Sequence, residues 1–546
     1  MLTRMILSLS AVLVWSATAS AATKRYIVTF KNPGTFHEVA SSFKGGLNLF
    51  SQNEAMAVSR AVQNVEVLDR VEMLVVEADS QGLAQLENLS EIANIEEEQF
   101  FPAPSPIGTF SHVPTSLKAF PTNVERPWGI DAVKAPGAWQ ITKGEGMTVV
   151  VIDTGIDEDH PAIASRFLEG RNFLDTNNPN DYSDTVGHGT HVAGTILADG
   201  LNHGLVGVAP EAKLKSAKVC GNLGCSTVAI ASAVNWAMEQ QAQVVNMSLG
   251  GPFMTFAEKK AYDAAEAAGT MIVAASGNNG NNKVSFPAAY TTTFAVGAVN
   301  PDLTKAQFSQ WGPELDVVAP GVDVVSSVPV GSGRTSQVMV DFGKGSEVLK
   351  STSFQGSAVS TVEDMPMAYV GLGKPEDFQG VDLRGKTALI LRGEIRFSDK
   401  VQNAIRAGAE AVMIFNNEPG LIQGALTDDG SELAIPVVMV EQVPGQRMKD
   451  LLAKGSEVTT SMGVVPADYA AFQGTSMASP HVAGVATLVR AANPSLTPAQ
   501  VRALIKETAT PLTPNNENQM GSGMVNAELA VQKARESMQL DRVVGF

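Results

Sequence analysis

Residues 147–155 read Met-Thr-Val-Val-Val-Ile-Asp-Thr-Gly. A near-continuous apolar run of this kind belongs in a strand covered on both faces of a parallel sheet, because a strand with one wet face alternates apolar and polar residues. The run ends on a carboxylate, Asp153. Open α/β sheets gather their working groups at the carboxyl ends of their strands, so this stretch bears on fold and site together. Further strands are expected at residues 215–219, 244–247, 271–275 and 294–299, with helices at 226–240 and 257–268 between them. Strands alternating with helices imply an α/β fold: a parallel sheet with helices on both faces.

The 546 residues exceed one domain. Arg4, the short apolar run 6–15 and the small residues Ala19-Ser20-Ala21 read as a signal peptide over residues 1–21. The run falls short of the ~20 apolar residues of a spanning helix, and no later segment reaches that length. An exported protein without a membrane span is expected, either extracellular or periplasmic. Residues 22–110 hold a small α/β unit, with strands at 26–30 and 71–78 and a helix at 82–89. Prolines 102, 104, 106 and 114 mark an exposed linker after it, where nicking concentrates. The main domain is expected over 120–334 and again over 466–535. A second α/β block, 335–465, interrupts it, with strands at 387–391, 411–415 and 435–440 and a helix at 399–407. The block reads as an insertion because a helix at 476–491, needed to complete the main domain, follows it.

A net charge of −17 argues against a nucleic-acid partner, which needs clustered Lys and Arg. Cys220 and Cys225 are the only cysteines. In an oxidising compartment they are expected to form a disulfide. So small a loop should stabilise by less than the ~3 kcal/mol of a 15-residue loop. No second cysteine pair or nearby histidine cluster completes a four-ligand metal set.

Three motifs carry chemistry. Val150-Val151-Ile152-Asp153-Thr154-Gly155 places a carboxylate at a strand end. Gly187-His188-Gly189-Thr190-His191 opens a helix among small residues. Gly474-Thr475-Ser476-Met477-Ala478-Ser479-Pro480-His481 puts a serine at a helix start, with Pro480 tolerated in the first turn. A serine hydroxyl needs a base within reach to become a nucleophile. Imidazole titrates near neutrality and suits that role. A carboxylate on the far ring nitrogen holds the tautomer and stabilises the imidazolium. Singly, each residue is as readily a cap or turn residue. Three long motifs in the chain order Asp, His, Ser point to a triad of Asp153, His188 and Ser476.

These motifs closely resemble the signatures of the subtilisin family, over about 126–330 and 466–530. Further matching stretches are Asn246-Met247-Ser248-Leu249-Gly250-Gly251 and Ala275-Ser276-Gly277-Asn278. The resemblance implies a serine endopeptidase working through an acyl-enzyme. It makes Ser248, Leu249 and Gly250 a substrate-binding edge, Asn278 an oxyanion donor, and Ser285, with Phe286 and Ala288, a specificity pocket. It makes His191, Ser479 and His481 scaffold. Residues 22–110 resemble the inhibitory propeptide of that family. Such a tail, with Gln99-Phe100-Phe101, is expected to lie as an added strand near 248–250 and to be cut somewhere between about 100 and 126.

The insertion is similar to the protease-associated (PA) domain, on Arg384-Gly385-Lys386-Thr387-Ala388-Leu389-Ile390-Leu391-Arg392-Gly393, Phe397-Ser398-Asp399-Lys400 and Ala407-Gly408-Ala409. Subtilisins often bind calcium through positions that here hold Ala162 and Leu201, which offer no side-chain oxygen. Asp159, Asp199 and Asn202 leave a shifted site open, so structural calcium is undecided, and no cofactor is expected for the chemistry. Protein or peptide substrates and the chain's own propeptide are the expected partners, with a monomeric enzyme. Two other functions stay open: a secreted binding protein using the insertion, and an acyl transferase that joins peptides.

Overall fold

The computed structural model describes residues 23–43, 57–58, 61–104, 107–108, 126–201, 205–343, 345–422, 424–427, 431–513 and 516–544. The signal-peptide stretch, Asn202 and most of the linker lie outside them. The chain divides into two compact units, the first ending at Glu98 and the second beginning at Gln99.

The first unit is a four-stranded antiparallel sheet in the order Gln63–Leu68, Met73–Ala78, Lys24–Phe30, Ile92–Glu97, with helices Pro33–Phe43 and Ser80–Glu87. Its core gathers Val28, Phe36, Leu74, Val76 and Leu86. The second helix starts two residues earlier than its leucine spacing indicates. Asp79 caps it, its carboxylate accepting from the Gly82 amide at 2.8 Å.

The second unit is built on a seven-stranded parallel sheet. Its order is Val317–Pro320, Thr293–Val299, Met271–Ala275, Val244–Met247, Thr148–Asp153, Lys213–Lys218, Phe167–Asn172. The expected strands are all there. The two outermost, Phe167–Asn172 and Val317–Pro320, were not anticipated. Phe167–Asn172 reads Phe-Leu-Glu-Gly-Arg-Asn and lacks the apolar run that betrays a central strand. The central strand Thr148–Asp153 is buried from Val149 onward. Helices Thr227–Glu239 and Phe256–Ala267 pack together, as do His188–Leu197 and Thr475–Ala492. Ser226 and Thr255 cap the first two, each accepting from the amide three residues on.

The insertion leaves and returns along one ladder. Strands Gly333–Asp341 and Thr459–Ala467 pair antiparallel from Gly333 opposite Ala467 to Asp341 opposite Thr459. Beyond that stem the sheet continues through Thr361–Tyr369, Thr387–Leu391, Ala411–Phe415 and Val437–Val440 to Ser351–Ser353. Helices Phe397–Arg406 and Gln442–Ala453 accompany it. Lys400 is buried in the first of these. Its ammonium donates to the carbonyls of Leu372, Leu391 and Gly393, so the buried charge is fully hydrogen-bonded. Phe354 belongs to the insertion's own core.

Candidate active site

Asp153 ends the central strand and is fully buried. One carboxylate oxygen accepts from the Thr154 amide at 2.7 Å and faces His188 Nδ1 at 2.8 Å. His188 is the first residue of the helix His188–Leu197, entered through Gly187 at φ 89°. With Nδ1–H donated to the carboxylate, Nε2 is the nitrogen left to take a proton.

The turn that delivers His188 is organised by Asp184, which sequence reasoning passed over. Its carboxylate accepts from the Thr154 hydroxyl at 2.9 Å, the Val186 amide at 3.1 Å and the Gly187 amide at 2.8 Å. It also accepts from the Thr190 amide at 2.9 Å and the Thr190 hydroxyl at 2.7 Å. The Thr154 hydroxyl in turn accepts from the Gly189 amide at 2.9 Å. Strand end and helix start are thus pinned to one buried carboxylate. The only sequence signal was an acidic residue four positions before the histidine.

Ser476 is the second residue of the helix Thr475–Ala492 and is 7% exposed. Its hydroxyl donates to the Ser248 carbonyl at 3.1 Å, and the Ser248 hydroxyl donates to the Ser476 carbonyl at 2.8 Å. Ser479 donates to Asn246 Oδ1 and Asn246 Nδ2 donates to the Ser248 hydroxyl, each at 2.9 Å. The edge at 248–250 is therefore buttoned to the serine helix. Leu249 is buried beside it. A Cβ on Gly250 would stand 2.5 Å from the Phe286 carbonyl, so that glycine is required by close approach. Ser285 donates to Gln310 Oε1 at 3.3 Å, and Ala288 is buried behind.

Asn278 is held in one orientation. Its Oδ1 accepts from both the amide and the hydroxyl of Thr475, at 2.9 and 2.8 Å. The Nδ2 donors are thereby turned away from Thr475. A Cβ on Gly474 would lie 3.4 Å from Asn278 Nδ2 and 3.6 Å from the Ser476 amide nitrogen. Both donors thus lie within 3.6 Å of one point beside Gly474.

His191 and His481 stand outside this set. His191 Nε2 meets the carbonyls of Val324 and Ala470, and His481 Nδ1 meets that of Met477. Burial first, and for His191 also the neighbouring His188, push these imidazoles down to about 3 and about 4. They are neutral scaffold at neutral pH.

Cys220 and Cys225 are joined, directly opposite one another in a hairpin of Cys220–Gly221 with Gly224–Ser226. The strand Phe100–Phe101 is added to that hairpin, Phe101 opposite Cys225 and Phe100 opposite Ser226. The edge it joins is therefore Gly224–Ser226 rather than 248–250. Gly224, whose missing Cβ admits the Phe101 carbonyl, and Thr227, which bonds Gln99 through its amide and its hydroxyl, hold the segment there. The Phe101 ring lies against Gly251 and 5.4 Å from the ring of Phe253. Farther on, Ile107–Gly108 pairs antiparallel with Phe472–Gln473, the strand that runs into Ser476.

Ala162 lies in an apolar cluster with Ala198, Leu205 and Tyr469, and Leu201 is exposed. Asp199 accepts from Ser165 and from the Leu201 amide. Aliphatic side chains at these two positions do not fit a calcium ion.

The model of the subtilase family matches residues 144–353 and 436–524, and that of the PA domain matches 354–448. Alkaline elastase YaB of Bacillus sp. (strain YaB) is 30% identical over 521 residues, 94% of this chain and 93% of the relative. M-protease of Shouchella clausii (strain KSM-K16) is 30% identical over 494 residues, 89% and 91% of the two chains. Among solved structures, the psychrophilic subtilisin-like protease Apa1 from the Antarctic Pseudoalteromonas sp. AS-11 is 31% identical with a TM-score of 0.58. That match covers 76% of this chain and 98% of Apa1. With a family model matching more than half its residues and relatives aligned along nearly its whole length, the chain belongs to the subtilase family and is a subtilisin-like serine protease carrying an inserted PA domain.

Proposed function

We propose that the protein is a secreted serine endopeptidase made as a self-processing zymogen, with Asp153, His188 and Ser476 as its triad. Ser476 Oγ attacks the peptide carbonyl while His188 Nε2 takes its proton, and Asp153 stabilises the imidazolium formed. The carbonyl oxygen, now negative, sits in the space flanked by Asn278 Nδ2 and the Ser476 amide. Such preorganised donors act most on the charge that develops in the transition state. His188 returns the proton to the leaving amine, and water resolves the acyl-enzyme by the same steps reversed. Side chains and backbone donors supply every step of this scheme. The enzyme acts as a monomer on proteins or peptides that lie along Gly224–Ser226 and 248–250, with Ser285 lining the specificity pocket.

The observation that carries the zymogen reading is the course of the chain itself. Its residues 100–101 are added as a strand to Gly224–Ser226, and its residues 107–108 to the strand leading into Ser476. A segment strand-paired at the edge assigned to substrate, and again at the strand before Ser476, keeps peptides out until it is cut, which makes residues 22–110 an inhibitor as well as a leader. The signal peptide over 1–21 exports the precursor. The test is the intact mass of the secreted protein, wild type beside Ser476→Ala. Loss of roughly the first 80–100 residues from the wild type alone is expected of cutting in the exposed linker. Identical trimming of both would assign maturation to another protease, and no trimming of either would sink the propeptide reading.

A further inference from the structure

We infer that the Cys220–Cys225 disulfide is a positioning element for extended substrates: it holds the Gly224–Ser226 strand in register once the chain's own segment has left it. The proposal rests on the cleft assignment just given.

The sheet concerned has three strands in the order Cys220–Gly221, Gly224–Ser226, Phe100–Phe101. Remove the third and a ribbon of two residue pairs remains, Cys220 with Cys225 and Gly221 with Gly224. Two-stranded ribbons are marginal in water even when longer than this. The outer edge of Gly224–Ser226 must nevertheless keep its amides and carbonyls aligned for the next peptide. Its geometry leaves little room for error. A Cβ on Gly224, at φ 115°, would stand 2.0 Å from the Phe101 carbonyl oxygen, so the incoming backbone comes down directly on that residue. At the far end, the Thr227 amide donates to the Gln99 carbonyl and the Thr227 hydroxyl accepts from the Gln99 amide, each at 3.0 Å. These bonds form only if Ser226 hands the chain on to the helix Thr227–Glu239 at the right height.

The disulfide lies where it can enforce this. It joins one of the ribbon's two directly opposed pairs, and Cys225 is the residue opposite Phe101. Both cysteines are fully buried, whereas Leu223 at the hairpin tip is 81% exposed. The link therefore ties the base of the hairpin, next to the peptide-accepting edge, and leaves the tip free. A cross-link acts chiefly on the looser state. Here that state is the empty strand, and the effect falls on binding rather than on proton transfer at Ser476.

The test compares mature enzyme with its disulfide intact, after reduction to two thiols by excess dithiothreitol, and after reoxidation, alongside the Cys220→Ser/Cys225→Ser double variant. The substrates are a single-residue ester and peptide amides of two to six residues before the cut. The expected result is a fall of about tenfold in kcat/KM for the longest peptides relative to the ester, the worth of one or two backbone hydrogen bonds, lying in KM and recovered on reoxidation. Equal length dependence in all four preparations overturns the proposal. So does a parallel loss on ester and peptides, which would make the link a support for the whole fold. A different failure, intact enzyme that shows no gain with peptide length although Ser476→Ala abolishes ester cleavage, would instead overturn the assignment of Gly224–Ser226 to the cleft.

Discussion

His191 and His481, three residues after His188 and five after Ser476, would look, in a sequence, as eligible for chemistry as His188. Burial separates them. His191 and His481 are both enclosed, each gives one ring N–H to a backbone carbonyl, and each is held neutral well below the ordinary imidazole range. The linkage has a definite sign. A depressed folded-state pKa favours the native state fully above about 6.5, the unfolded value, and that contribution is lost as pH falls through about 4 for His481. The window is therefore pH 6.5 down to 4. A shift of that size corresponds to about 3 kcal/mol for His481. Measured on the Ser476→Ala protein to prevent self-digestion, Tm should drop across this window. His481→Asn, whose side-chain amide can still donate to the Met477 carbonyl, should shrink the drop. An acid limb identical in both proteins would show that His481 is not among its causes.

At the scale of elements, the site depends on how a strand end and two helix starts are pinned. Asp184 performs this for the histidine helix by accepting from five donors on three segments. Replacing it by alanine would strand buried N–H and O–H groups, each costing about 1–3 kcal/mol without strict additivity. Asp184→Ala is expected to lower stability by about 3 kcal/mol or more. It should also cut turnover, since His188 loses its anchorage while Asp153 remains. Thermal unfolding and ester turnover measured together check this, and near-normal values for both would refute it. The serine helix is positioned differently. Thr475 locks Asn278, and Ser248 and Asn246 lock the first turn, so the Asn278 side chain and the start of that helix are held in place by the protein's own hydrogen bonds.

On the scale of the molecule, the insertion lies within the second compact unit and has cores of its own there. Its stem runs as one antiparallel ladder from Gly333 opposite Ala467 to Asp341 opposite Thr459, so the chain leaves and returns at one point. Its two core clusters share no residue with that of the seven-stranded sheet. Insertions whose ends lie side by side add little loop-closure cost. Excising residues 342–458 and closing Asp341 to Thr459 with a short turn should leave a folded enzyme that cleaves small peptides. Activity on folded proteins then isolates what the insertion adds. Failure of the excised chain to fold would make the insertion part of the catalytic core.

Much of this was legible in one dimension. The run at 147–153, the glycine-framed histidine and the serine motif are local patterns, and a buried parallel strand or a helix start imposes its composition on neighbouring residues. The family, the α/β class and the order of elements follow from such patterns, as does a disulfide between the only two cysteines. The rest depended on groups distant in sequence. Asp184 acquires its role from donors on both sides of it. Asn278 is oriented by Thr475, 197 positions away. The strand Phe167–Asn172 exists because Lys213–Lys218 offers it an edge. Which edge the 99–101 segment joins is a property of the folded sheet, where Phe101 meets Cys225 and Phe100 meets Ser226. Composition records what a residue must be surrounded by. Only the fold specifies which segments distant in sequence come to lie side by side.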